Sequence, residues 1–370
     1  MTVGSDLKTT ADLPTPALVI DAPTVRRNLK RLADYARQHG VKLRPHTKTH
    51  KSIHLARMQM ELGATGLTVA KAGEAQVMAQ AADDILVAYP AIGVGRAETL
   101  ARLARDKTIR VGIDSTTAAD WLAEAARQAG SNIGILVDID VGLHRTGVQT
   151  PREALDLAQY VSKIKGLRLN GIMFYPGHVK DESPDSIRQV EEVETKLAEA
   201  IGLWREAGLE ARIVSGGSTP TAYQSHRLPS MTEARPGTYP FHDMNGVHGG
   251  YAKLDDCAAR IVCTVVSTAV PGQFVIDAGT KTLTSDKCGP APDSGHGYVV
   301  EYPRAKIAKL TEEHGVVDCR ESDGRPKVGE RVTVIPNHIC PCVNLQDQIW
   351  WCEEGEAPRA IPVDARGKLV

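Results

Sequence analysis

Between about residues 15 and 218, short apolar runs alternate with amphipathic stretches, and this alternation constrains the fold more than any other feature of the chain. The runs are ALVI (17–20), VKLR (41–44), GLTVA (66–70), ILVAY (85–89), IRVGI (109–113), IGILVDID (133–140), LNGIMFY (169–175) and ARIVS (211–215). Between the first two, Val25, Leu29, Leu32 and Ala36 share one helical face, and Gly40 ends the pattern. Eight strands with seven intervening helices is the count of a (β/α)8 TIM-type barrel, assigned here to residues 15–244. A doubly wound open sheet has the same alternation, but eight parallel strands favour closure over exposed edges.

The pattern changes after the glycine-rich NGVHGGY. The segments ARIVCTVVSTAV, QFVIDAG, GYVVEY, GVVDC and RVTVIP are β-rich and separated by Gly, Pro and Asp, so residues 245–370 read as a mainly antiparallel β-domain. Residues 1–14 are expected to associate with it. A length of 370 residues accommodates both domains. The formal net charge of -1, with Lys and Arg spread along the chain, lacks the electrostatic footprint of a nucleic-acid or anionic-membrane binder and points to small-molecule partners. The N-terminal stretch has no apolar core of the signal-peptide kind, and no run has transmembrane length, so a cytoplasmic location is expected. All seven cysteines fall from Cys257 onward, and the odd count favours reduced thiols or metal ligands over a disulfide framework.

Active-site groups of a barrel gather at the C-terminal ends of its strands. If VKLRPHTK stays extended, Lys42, Arg44, His46 and Lys48 share a face, and burying such cations requires anionic partners or a site that uses them. A solvated basic loop beginning at Pro45 is the plainer reading of the same residues. Other strand ends place Arg145 (in HRTG), Tyr175 and His178 (in YPGH) and the run Ser215, Gly216, Gly217, Ser218 at the same mouth. Loops after the last strands of such barrels commonly bind phosphate, and glycines let backbone N–H groups come close to its oxygens. A lysine amine opposite a phosphate anchor is the minimal apparatus for pyridoxal 5'-phosphate; sugar-phosphate enzymes use the anchor without the imine. Lys48 sits nearer the strand end on the inward parity, whereas Lys51 opens a helical stretch and is expected to face solvent.

In IPNHICPCVNLQD, His338 and Cys340 are two apart, so on an extended segment their side chains face the same way, a spacing suited to one divalent metal ion. Two other readings stand beside this one: a satisfied histidine next to apolar cysteines, or a closed structural zinc site that also recruits Cys342 and Cys352.

RPHTKTHK, HRTG, FYPGH, SGGSTPTAY, RPGTY, DAGTK, EEHG and PNHICPCVNLQD occur in this order from about residue 13 to 350. The chain thereby resembles the D-threonine aldolase and D-serine dehydratase-like group of pyridoxal-phosphate enzymes, which have the alanine racemase type of fold. The resemblance implies Lys48 as the Schiff-base lysine, Arg145 as a donor to the cofactor's phenolic oxygen, and Tyr175 near its ring. It implies phosphate contacts from Ser215, Gly216, Gly217, Ser218, Gly237, Thr238 and Tyr239. It makes His338 and Cys340 metal ligands beside the substrate's β-hydroxyl, with His314 close to that region. Aldolases of the group can carry aspartate where Cys340 stands, whereas its dehydratases use His-x-Cys. Cysteine favours zinc, while the aldolase reading favours manganese. A homodimer is implied as well.

The expected reaction is retro-aldol cleavage of D-3-hydroxy amino acids, D-threonine giving glycine and acetaldehyde, with a metal-bound water, His178 or His314 removing the β-hydroxyl proton. The alternative is a D-serine or 3-hydroxyaspartate dehydratase using the same groups. An amino-acid racemase and a non-catalytic binder of pyridoxal phosphate are the further readings. Arg44 and His46, protonated, are expected to balance the cofactor's negative charge.

Overall fold

A computed structural model of the protein describes residues 9–93 and 95–370, so residues 1–8 of the 1–14 segment lie outside it. The chain divides into two compact units. One contains the described residues up to Leu29 together with Thr238–Arg366; the other is Lys30–Gly237 with Gly367–Val370. The division falls at Thr238 rather than at 245.

The second unit is the barrel. Its strands are β2 (Lys42–Leu43), β3 (Leu67–Val69), β4 (Asp84–Val87), β5 (Thr108–Ile113), β6 (Ile133–Ile139), β7 (Leu167–Phe174), β8 (Ile213–Gly216) and β9 (Glu233–Ala234), where β1 (Ala17–Asp21) precedes them in the chain. All neighbouring pairs are parallel, in the order β2-β9-β8-β7-β6-β5-β4-β3. The two ends of this curled sheet are joined by a parallel bridge between His46 and Thr68, with Thr47 N–H donating to Thr68 O at 2.9 Å. Leu86, Leu136, Met173 and Ile213 from β4, β6, β7 and β8 form one apolar cluster. Since β4 and β6 are not neighbours, that cluster lies in the lumen. Helices such as Thr116–Ala129 and Pro151–Ser162 begin on Ser115 and Thr150 caps and bury their alanine- and leucine-rich faces.

The first unit is built on a nine-stranded sheet comprising β1, β10 (Ala259–Ser267), β11 (Gln273–Ile276), β12 (Tyr298–Val299), β13 (Lys306–Leu310), β14 (Gly315–Asp318), β15 (Arg331–Ile335), β16 (Gln348–Cys352) and β17 (Arg359–Pro362). All its pairs are antiparallel except β1 with β16. The run 17–20, expected as the first barrel strand, is therefore a strand of the other sheet, and the barrel's eighth strand is β9. The reason is physical. A continuous apolar run buried on both faces carries no periodicity that says which sheet it joins, and the two-residue β9 is too short to show any pattern. Among the described residues no helix is long and apolar enough to cross a membrane.

Candidate active site

In the barrel unit, β2 ends at Leu43, the chain bridges to β3 at His46, and residues 47–50 turn. That turn leaves Lys48 exposed between buried neighbours, with its Nζ 5.9 Å from the centroid of the Tyr175 ring. The Arg145 guanidinium carbon lies 4.8 Å from the same centroid. Lys51 differs from the expectation: it is buried, and its Nζ is 3.1 Å from Oε1 of buried Glu74. A buried cation needs such a partner, and Lys51 lies two residues before the helix Ile53–Glu61 in left-handed backbone, with φ +51°. The pairing occupies Lys51 and leaves Lys48 as the accessible amine of the two.

The other two cations of the opening cluster also play different parts. Arg44 is 2% exposed, donates from Nε to Glu233 at 2.7 Å and from Nη1 to Asp84 at 2.6 Å, and so has its counter-ions inside the barrel wall. Burial would lower its pKa, but the two carboxylates outweigh burial and raise it. Burial pushes the His46 pKa well below its usual value, with Lys48, Arg235 and His50 adding to the effect, so His46 is neutral. Its Nδ1 accepts from the Lys48 N–H at 3.4 Å. Neither residue supplies a free positive charge to a ligand.

Arg145 rides on a loop that folds back onto β6. Val148 N–H donates to Asp138 O, and Asp140 N–H donates to Val148 O. Asp140 accepts from the amides of Gly142 and His144 at 3.1 and 3.0 Å, and Gly147 N–H donates to Asp114 at 3.1 Å. Burial would raise the Asp140 pKa, but these bonds and His144 hold it below the usual carboxylate range. His178, after β7, is half-buried, its Nδ1 has no hydrogen-bond partner, and burial lowers its pKa, leaving a neutral imidazole.

At the end of β8, Ser215 is fully buried and its Oγ has no partner. A Cβ on Gly216 would lie 2.1 Å from the Phe174 ring, and Gly217 has φ +75°, so each glycine is required by the backbone path. The Ser218 N–H donates to Thr221 Oγ1 at 3.0 Å, and the Gly237 N–H donates to Thr219 Oγ1 at 3.1 Å. A buried hydroxyl without a partner in a glycine-bounded turn fits a phosphate acceptor.

The other unit holds Thr238 and Tyr239 as well as the candidate metal ligands. His338 is the extended residue before the short helix Ile339–Asn344, and Cys340 lies in that helix's first turn. The pair therefore meets through a helix N-terminus rather than through strand alternation. Their side chains are hydrogen-bonded, and His338 Nδ1 is 2.8 Å from Asp286 Oδ2. Burial would lower the His338 pKa, but Cys340, Asp243 and Asp286 outweigh it and raise it to about 9. A carboxylate on Nδ1 leaves Nε2 for a metal and fixes the ring, as outer-sphere partners of metal-bound histidines do. The imidazole and thiol thus fit a divalent ion. The closed four-ligand zinc site does not form. The Cys342 thiol donates to Leu283 O and His338 O, burial holds its pKa well above 9, and Cys352 pairs in register with Asp21. Among the described residues no group of three or more His, Cys, Asp or Glu has the arrangement of a metal site. His314 is exposed on the turn between β13 and β14.

Residues 20–244 match the alanine racemase N-terminal domain, and residues 258–352 match a putative serine dehydratase domain. The chain belongs to the D-threonine aldolase and D-serine dehydratase-like family of pyridoxal-phosphate enzymes. Its relatives in that family include the 3-hydroxy-D-aspartate aldolase of Paracoccus denitrificans (strain Pd 1222), 30% identical over 97% of this chain and 93% of that protein. The D-threo-3-hydroxyaspartate dehydratase of Delftia sp. (strain HT23) is 33% identical over 89% of this chain and 91% of that protein. The crystal structure of D-threonine aldolase from Filomicrobium marinum superposes with a TM-score of 0.90 at 31% identity, covering 99% of this chain and 100% of that one. These relatives are lyases acting on small molecules, and the chain is an enzyme of that class.

Four charged residues of the two sites are absent from the sequence-derived assignments. Arg235 is buried with an unpartnered Nε, and burial pushes its pKa down to about 10. Asp138 is 4% exposed, and burial pushes its carboxyl up to about 6. Asp243 is buried and accepts from the Ile339 N–H at 3.0 Å, and Asp286 holds His338. The signal available for Asp138 was an ionisable residue inside an otherwise apolar strand.

Proposed function

We propose that the protein is a pyridoxal 5'-phosphate- and divalent-metal-dependent lyase that cleaves D-3-hydroxy amino acids in the retro-aldol sense, D-threonine giving glycine and acetaldehyde. The observation that carries this reading is the full-length likeness to D-threonine aldolase, combined with an exposed Lys48 amine beside the Tyr175 and Arg145 pair. In this reading Lys48 holds the cofactor's aldehyde carbon and Arg145 donates to its phenolic oxygen. Tyr175 lies against its ring, and Ser215, Ser218 and the backbone of Gly216 and Gly217 receive its phosphate. His338 and Cys340 hold Mn2+ or Zn2+. Once bound, the cofactor supplies a sink for the electrons of the broken Cα–Cβ bond, and the metal supplies Lewis acidity toward the β-hydroxyl.

His178, neutral and with an unpartnered Nδ1, takes the β-hydroxyl proton; His314 is the other imidazole assigned to this role. Neutral His46 keeps its Nδ1 on the Lys48 amide and so fixes the turn that presents the amine. The active assembly is a homodimer in this reading. A specific observation favours the second reading, dehydration of D-serine or 3-hydroxyaspartate: the cysteine in the metal pair, together with the 33% identity to a dehydratase.

Incubation of pure protein, pyridoxal phosphate and Mn2+ or Zn2+ with D-threonine, D-threo-3-hydroxyaspartate and D-serine decides between them. Glycine with an aldehyde or glyoxylate, without ammonia, is expected. Ammonia and a 2-oxo acid without glycine overturn the aldolase reading.

A further inference from the structure

The mechanism above leaves one buried carboxylate of the barrel mouth without a role. Asp138 is on β6, two residues beyond Leu136 of the lumenal cluster, so alternation places it on the same inward face, one layer nearer the mouth. Its Oδ2 accepts from the Thr146 hydroxyl at 2.9 Å, and Thr146 is the neighbour of Arg145. The charged groups around it come from three strand ends: Arg145 from its own loop, Asp114 after β5 and Arg235 after β9. Asp140 anchors the start of the Arg145 loop through the amides of Gly142 and His144 and through the His144 ring, Asp114 anchors its end through the Gly147 amide, and Asp138 holds Thr146 on the other side of the arginine. An acid taken this far out of water is expensive to keep ionised, and an asparagine would make the same bond with Thr146 more cheaply. A buried carboxylate at this position is explained by its charge.

We propose that Asp138 is the positioning residue of the cofactor site: through Thr146 it fixes Arg145 over Tyr175, and its negative charge offsets Arg145 and Arg235 around the bound cofactor. The inference rests on the pyridoxal-phosphate reading but not on the metal or on the reaction catalysed. Burial and Asp114 oppose ionisation of Asp138, while Thr146, Arg235 and Arg145 favour it, so both forms are accessible near neutral pH.

The test is spectroscopic and uses the full chain without metal or substrate. Titrating the visible absorption of the bound pyridoxal phosphate with pH gives a midpoint, and titrating the protein with the cofactor gives its affinity. In Asp138→Asn the isosteric side chain keeps the Thr146 bond but removes the charge. The uncompensated arginines then favour proton loss, and the midpoint falls by about one pH unit or more. Cofactor affinity in this variant holds or rises, because the anionic cofactor loses a like charge from its surroundings. Thr146→Val retains the charge but frees the loop, and lowers affinity at least threefold. A parental midpoint and affinity in both variants overturn the inference while leaving the reading intact. Failure of the parent protein to develop the visible band with pyridoxal phosphate overturns the reading itself, and this inference with it.

Discussion

Replacing Ser215 with alanine separates the cofactor cradle from the scaffold that carries it. The hydroxyl is fully buried, its Oγ has no partner, and the residue's strand register, Met173 on one side and Glu233 on the other, is made by backbone alone. A buried hydroxyl left without a hydrogen bond costs roughly 1–3 kcal/mol, so removing it leaves the cofactor-free protein as stable as before or more stable by up to about that amount. In the proposed cofactor complex the same hydroxyl would donate to a phosphate oxygen, a charge-assisted bond worth about 1.5–3 kcal/mol. At about 1.4 kcal/mol per tenfold, Ser215→Ala should weaken pyridoxal phosphate binding roughly 10- to 100-fold. Urea denaturation without cofactor and a fluorescence titration with it measure the two effects on one preparation. A variant that is clearly destabilised without cofactor, yet binds it as tightly as the parent, refutes the assignment of Ser215 to the phosphate.

Three further outcomes are expected. Lys51→Ala strands Glu74 as a buried charge and should cost about 3–5 kcal/mol in urea denaturation while retaining the visible cofactor band. His50 is buried, donates from Nε2 to Gln59 and accepts the Ser52 N–H on Nδ1; burial lowers its pKa to about 4. It stays neutral in the fold while the unfolded chain protonates near 6.5, so stability present above pH 6.5 is lost as pH falls toward 4, up to about 3 kcal/mol. His50→Gln should reduce the difference in denaturation free energy between pH 7 and pH 4.5. Chelation should abolish lyase turnover, Mn2+ or Zn2+ should restore it, and Cys340→Ser should raise the metal concentration needed at least tenfold, as measured by activity against free metal.

The barrel was legible because its helices and longer strands repeat one pattern, and the sequence placed Lys48, Arg145 and Tyr175 at its mouth, where the structure brings them together. The exceptions have specific causes. The run 17–20 joins the other sheet because Leu18 and Ile20 are as buried as any barrel residue, and burial says nothing of partner. The basic cluster at 43–52 looked like charge offered to a ligand. Arg44 and Lys51 instead meet Asp84, Glu233 and Glu74, acids 40, 189 and 23 positions away in sequence that no local reading could pair with them. The His338 and Cys340 side chains do interact, but through the first turn of a helix that includes Pro341 rather than along a strand. Asp286, 52 residues before His338, could not be seen at all.

In the proposed function the amine at position 48, and no other, captures an aldehyde cofactor. Borohydride reduction of the protein incubated with pyridoxal phosphate, followed by peptide mass mapping, tests it directly. The account predicts the cofactor mass on Lys48, with Lys51 unmodified; cofactor fixed on Lys51 or another lysine, or on none, would contradict it.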